Sequence, residues 1–107
     1  MLFNVKKALK PAAIALTATL SMGTMAAQNC STVRFSDVGW TDITSTTAIT
    51  SELVQGLGYT PKTQLLSVPV TYTSLASGDF DVFLGNWLPT MEGDIATYRE
   101  AGTVDTL

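Results

Sequence analysis

Two tryptophans carry the chemistry that is legible first. Trp40 follows the turn Ser36-Asp37-Val38-Gly39, and Trp87 follows Gly85-Asn86. Asp42 stands two residues after Trp40. An indole face carries negative quadrupole density and attracts a cation by ~0.5–2 kcal/mol. A quaternary ammonium has no N–H to donate, so facing aromatic rings are the main way to hold one, and a nearby carboxylate adds a full negative charge. The competing reading is that both indoles are packing for a small hydrophobic core, the commoner fate of aromatic residues. Their position on loops after glycine turns weighs against it, because loops carry function more often than packing.

Other reactive combinations are sparse. The chain has no histidine and one cysteine, Cys30, so a zinc site or a Cys/His nucleophile pair cannot be assembled. Gly56-Leu57-Gly58 lacks the spacing of a phosphate-binding loop, and no nucleophile elbow or cofactor motif is present. Asp79 and Asp81 flank a predicted strand and read as solvated edge charges. Together with Glu92 they are the carboxylates a small secreted hydrolase would use, which is the alternative from another class. A third reading is a structural envelope domain. Tyr72 reads as packing, and Tyr98 and Arg99 as cover on a helix surface.

The elements that must position these residues follow from punctuation and periodicity. Thr32 to Phe35 predicts a buried strand. Asp42 to Leu57 predicts a helix with Ile49, Leu53, Val54 and Leu57 on its inner face, capped by Thr41 or Asp42 and stopped by Gly58. Thr63 to Val68 predicts a second strand, ended by Pro69. Thr71 to Ser77 predicts a short helix stopped by Gly78. Asp81 to Leu84 predicts a third strand, and Thr90 caps a helix running to about Glu100, with Glu92 and Asp94 where the helix dipole favours acids. Strand-helix alternation implies an α/β fold with a parallel sheet and crossover helices. In such sheets ligands sit beyond the carboxyl ends of the strands, where both tryptophans fall.

The first stretch stands apart from this pattern. Lys6, Lys7 and Lys10 precede an apolar run from Ala12 to Leu20, and Thr24 and Ala26 are small residues before Gln28-Asn29. This is the plan of a secretory signal peptide over residues 1–26. The run is too short to cross a ~30 Å hydrocarbon core as a helix. The remaining residues, 27–107, then hold all nine acidic side chains against Arg34, Lys62 and Arg99, a net charge of −6. That balance argues against nucleic acid and against anionic membrane surfaces as partners. In an oxidising compartment the lone Cys30 suggests a missing partner. The stretch from Ala101 to Leu107 adds no closing element, so the expectation is the front part of a longer domain.

Three ungapped blocks carry a resemblance. They are Val33-Arg34-Phe35-Ser36-Asp37-Val38-Gly39-Trp40-Thr41-Asp42-Ile43, Leu66-Ser67-Val68-Pro69-Val70-Thr71-Tyr72-Thr73-Ser74-Leu75, and Asp79-Phe80-Asp81-Val82-Phe83-Leu84-Gly85-Asn86-Trp87-Leu88-Pro89-Thr90-Met91. Together they resemble the choline-binding and glycine-betaine-binding proteins of ABC importers, with the periplasmic choline binders closest. The resemblance implies a partial lobe of a two-lobed, type II-like periplasmic binding protein with no enzymatic activity and no cofactor. It implies a membrane permease as partner and an aromatic box around a trimethylammonium group. On that pattern Trp40 and Trp87 are walls of the box, Asp42 is the acid near the ligand, and Cys30 bridges to a cysteine far downstream. Choline and betaine share the cation. Betaine adds a carboxylate that a neighbouring acid would repel, whereas choline adds a hydroxyl that can donate to that acid. An Asp42 facing the ligand therefore favours choline, and an Asp42 that merely caps a helix is neutral.

Overall fold

The computed structural model describes residues 30–107. The predicted signal segment, residues 1–26, and the three residues after it lie outside the described residues. The elements alternate as β1 (Thr32–Asp37), α1 (Thr41–Gly56), β2 (Thr60–Leu65), α2 (Val68–Ser77), β3 (Val82–Phe83) and α3 (Glu92–Glu100). The fold is α/β with crossover helices, as the strand-helix alternation implied.

The three strands form one parallel sheet in the order β2-β1-β3. Phe35 pairs in register with Val82 and with Thr63, so β1 is the central strand. A central parallel strand is covered on both faces, and Phe35, Ser36 and Asp37 are accordingly buried. The chain leaves β1 for one edge and then crosses back to the other. Right-handed crossovers put the two connecting helices on opposite faces. Consistent with that, α1 packs on β1 and β2 while α2 packs on α3 and β3. The order of strands therefore reverses at β1, and the crevice where ligands settle in such sheets lies beyond the ends of β1 and β3.

A small apolar cluster anchors the β3 side. Tyr72, Met91 and Ile95 are buried, with Trp40, Val68, Leu75, Phe83, Tyr98 and Val104 packed around them. The Tyr72 ring meets Phe83 edge-on at 5.9 Å and stacks on Tyr98 at 6.1 Å. An ion pair ties the β1 and β3 strands together at the opposite end. Arg34 donates from Nε and Nη2 to the Asp81 carboxylate at 3.0 and 2.8 Å, and the Arg34 backbone N–H donates to the same group at 2.7 Å. These bonds hold the Asp81 carboxyl below the usual carboxylate range, with the Arg34 side chain the largest cause.

Several boundaries differ from the sequence expectation. The second strand begins at Thr60 and ends at Leu65, and Pro69 stands in the first turn of α2 rather than at the end of a strand. Proline fits there because the first turn of a helix has no intrahelical partner for the missing N–H. Neither Thr41 nor Asp42 caps α1; both lie inside its first turn, and Trp40 holds the cap position without a side-chain bond. Met91, not Thr90, holds the cap position of α3.

The rotation of α1 also differs. Ile43 and Thr47 are its buried residues, whereas Ile49, Leu53 and Leu57 are 64%, 65% and 76% exposed. Ile43 fixes this rotation: a side-chain carbon added at Gly85 would lie 3.1 Å from Ile43 Cγ1. The loop after β3 thus sits directly on Ile43, and a stripe one quarter-turn away has nothing to cover it among the described residues.

Candidate functional site

The two tryptophan loops are shaped by local bonds at the ends of β1 and β3. After β1 the chain turns through Gly39, whose φ of 80° is a left-handed conformation that favours glycine. The Asp37 side chain accepts the Gly39 N–H at 2.9 Å and stabilises that turn. Trp40 follows in extended conformation, and its carbonyl accepts the Thr44 N–H at 2.8 Å as α1 begins. After β3 the backbone presses onto its own strand at Gly85. A side-chain carbon there would lie 2.7 Å from Phe83 Cζ, too close for any other residue without displacement.

Trp87 comes two residues later. Its N–H points to Met91 Sδ at 3.3 Å, and its carbonyl accepts the Met91 N–H at 2.8 Å. The Leu88–Pro89 peptide within this turn is cis.

These two loops bring the indoles together. The ring centroids of Trp40 and Trp87 are 4.9 Å apart, with 38° between the planes. Trp40 is half-buried against the Tyr72 cluster, and Trp87 is 47% exposed. The pair is therefore a tilted aromatic surface with one ring rooted in the core and the other open to solvent. It can present two π faces to one cation.

Asp42 occupies the first turn of α1, two residues past Trp40, with its side chain exposed. Among the described residues its carboxylate has no hydrogen-bond or ion-pair partner, so its charge is uncommitted. Its backbone carbonyl accepts the Thr46 hydroxyl at 2.8 Å.

Residues that sequence reasoning left as packing also shape this site. The Tyr72 hydroxyl donates to Asn86 Oδ1 at 2.7 Å, and Asn86 immediately precedes Trp87. Burial pushes the Tyr72 phenol up to about 12, with the Asp94 charge a smaller cause. The phenol therefore stays protonated and available as a donor throughout the neutral range. A contact joining α2 to the loop after β3 leaves no local pattern in the sequence.

The carboxylates of the hydrolase alternative do not converge. Asp81 is committed to Arg34, Asp79 accepts the Ser77 hydroxyl at 2.6 Å, and Glu92 pairs with Arg99. Asp81 is exposed, as expected of a solvated edge charge, and is paired with Arg34 as well. Cys30 is exposed and unbonded. A cavity of about 530 Å³ opens beside β3, lined by Tyr72, Phe83, Asn86, Ile95 and Val104 among others. Neither tryptophan nor Asp42 lines it, so this cavity is separate from the aromatic pair.

Comparison with known proteins identifies the family. Residues 31–107 match the substrate-binding domain of ABC-type glycine betaine transport systems. The chain belongs to that family. It is similar to an uncharacterized protein, ORF1, of Chromohalobacter salexigens, with 50% identity over 95 residues, covering 89% of this chain and 61% of that relative. It is also similar to a solved ABC-transporter choline binding protein in complex with choline, at 66% identity and a TM-score of 0.67 over 68% of this chain. A second structure, of an ABC-transporter choline binding protein in an unliganded semi-closed conformation, matches at 64% identity and a TM-score of 0.67 over 73% of this chain. The chain spans 25% and 27% of those two structures. The family and both solved neighbours are substrate-binding proteins of transporters and not enzymes, which removes the hydrolase reading.

Proposed function

We propose that this chain is the front part of a periplasmic binding protein that captures choline for an ABC importer and does no chemistry on it. The observation that carries the reading is the Trp40–Trp87 pair, 4.9 Å between centroids, at the end of two adjacent parallel strands. Rings in contact leave no room for a trimethylammonium group between them. The cation instead lies against the open side of the pair, within the ~6 Å of each centroid over which the attraction acts. Trp40 and Trp87 are then two adjoining walls of an aromatic box. The remaining walls and the second lobe come from the parts of the longer proteins of this family that the chain does not span.

The partner is the membrane permease of the importer, and residues 1–26 serve as the export signal. Cys30, exposed at the start of β1, pairs with a cysteine of the remaining protein. Glycine betaine is the second reading, favoured by the description of the matched family. The uncommitted charge of Asp42 supports choline, whose hydroxyl can donate to it, over betaine, whose carboxylate it would repel.

Calorimetric titration of the full-length protein with choline tests this reading. One choline per protein, bound and recovered unaltered, is the expected result. Absence of binding heat with choline, glycine betaine and other methylated amines would overturn it.

A further inference from the structure

We infer that Tyr72 is a positioning residue for the ligand surface: its hydroxyl holds Asn86, and through the backbone Trp87, at the place where Trp87 meets Trp40. The inference rests on the reading that the two indoles are ligand walls.

Trp87 is half-exposed, and its ring meets Trp40 with 4.9 Å between centroids. Three bonds hold this stretch: the Tyr72 hydroxyl donates to Asn86 Oδ1 at 2.7 Å, the Trp87 N–H donates to Met91 Sδ at 3.3 Å, and the Met91 N–H donates to the Trp87 carbonyl at 2.8 Å. The same sulfur lies 3.9 Å from the Tyr72 hydroxyl oxygen. Tyr72 is 1% exposed and braced by Phe83 and Tyr98, so its hydroxyl is a fixed point rather than a mobile one. Trp40 packs against the cluster that contains Tyr72. The buried cluster of Tyr72, Met91 and Ile95 therefore meets both loops, Trp40 by packing on the cluster and the Trp87 loop by the Tyr72–Asn86 and Met91–Trp87 bonds.

Phenylalanine would fill the same volume, so packing alone does not call for the hydroxyl. Its value is directional: a hydrogen bond fixes an angle as well as a distance. Two aromatic faces help a single cation only when both reach it at once, which makes the relative placement of Trp87 and Trp40 a determinant of affinity.

The test uses full-length protein labelled with 5-fluorotryptophan, in which the Trp87 resonance is identified by its loss in Trp87→Phe. Tyr72→Phe is expected to shift or broaden the Trp87 resonance and to weaken choline binding about ten-fold while the protein stays folded. Asn86→Ala removes the partner without touching the Tyr72 core, and serves if Tyr72→Phe does not fold. The double variant should be no weaker than the weaker single one, because both remove the same bond. An unmoved Trp87 resonance, or additive losses in the double variant, would overturn the inference. If Trp87→Phe leaves choline affinity intact, the ligand reading fails while the resonance shift still reports on positioning. If Trp87→Phe weakens binding but Tyr72→Phe does not, the ligand reading stands and the inference is overturned.

Discussion

Trp40 ends the turn after β1, Trp87 lies in the turn after β3, and their ring centroids stand 4.9 Å apart. The sheet order explains the meeting. The two strands are hydrogen-bonded neighbours although an entire strand and two helices separate them in the chain. Adjacent parallel strands deliver their following loops to the same edge, so two indoles on those loops have little choice but to approach.

The first prediction concerns this pair. In the full-length protein Trp87→Ala should weaken choline binding by ~1–3 kcal/mol through loss of one cation–π face and its contact area. Trp87 is half-exposed, so the melting temperature should move little. Trp40→Ala should cost a similar amount of affinity and some stability besides, because Trp40 also packs on the Tyr72 cluster. Titration calorimetry and thermal melts of both variants separate the two roles. Retained affinity in a folded Trp87→Ala protein would make that residue mere surface.

How far the sequence revealed this arrangement depended on whether the information was local. Strand-helix alternation was legible because turn residues such as Gly39 and Gly78 punctuate it within a few positions. The approach of Trp40 to Trp87 was legible because a parallel sheet sends both loops to one edge. The inner face of α1 was not. Its apolar stripe at Ile49, Leu53 and Leu57 suggested a core face, yet the helix is rotated so that Ile43 lies under Gly85. Local hydrophobicity cannot reveal which neighbour a helix will meet. For the same reason Tyr72 looked like simple packing: its partner, Asn86, is brought to it by β3.

The second prediction concerns Tyr72 as a titrating group. The chain has three tyrosines, and burial pushes the phenol of Tyr72 up to about 12. A raised phenol pKa means that the unfolded chain loses its proton more readily than the native one. The associated stability is whole below about 10, the unperturbed value, and is lost as pH rises from there toward 12. An absorbance titration of the phenolate band should therefore show a late step that accompanies loss of native structure, and Tyr72→Phe should remove that step. If Tyr72→Phe instead removes a step near about 10 that leaves the fold intact, the buried position is contradicted.

The third prediction tests the rotation of α1. Thr47 is 1% exposed, and its hydroxyl has no hydrogen-bond partner. A buried polar group without a partner costs ~1–3 kcal/mol, and replacing it with an apolar group of similar shape relieves that cost. Thr47→Val should raise stability by about 1 kcal/mol in denaturant titration of the full-length protein. Leu53→Lys should change it by less than about 0.5 kcal/mol, as expected for a surface substitution. Destabilisation by both changes would mean that the helix turns its predicted stripe inward after all.

The last prediction concerns Asp42, which separates the two candidate ligands. Its carboxylate is exposed in the first turn of α1, two residues past Trp40, and is engaged by no neighbour among the described residues. It does not cap the helix, because Trp40 occupies the cap position and no side-chain cap bond forms there. The remaining question is whether the charge acts on the ligand. Asp42→Asn keeps the shape and removes the charge. Choline should then bind more weakly by about ten-fold, losing attraction to its cation and the strong acceptor for its hydroxyl. Glycine betaine should bind as well as before or better, since the repulsion of its carboxylate is relieved at the same time as the attraction to its cation is lost. The change should also shrink at high salt if the carboxylate stays partly solvated when the ligand is bound. Titrating both ligands into the full-length variant at two salt concentrations decides the matter. Unchanged affinity for both would place Asp42 outside the site and leave the two indoles, which see only the shared cation, with no means of telling choline from betaine.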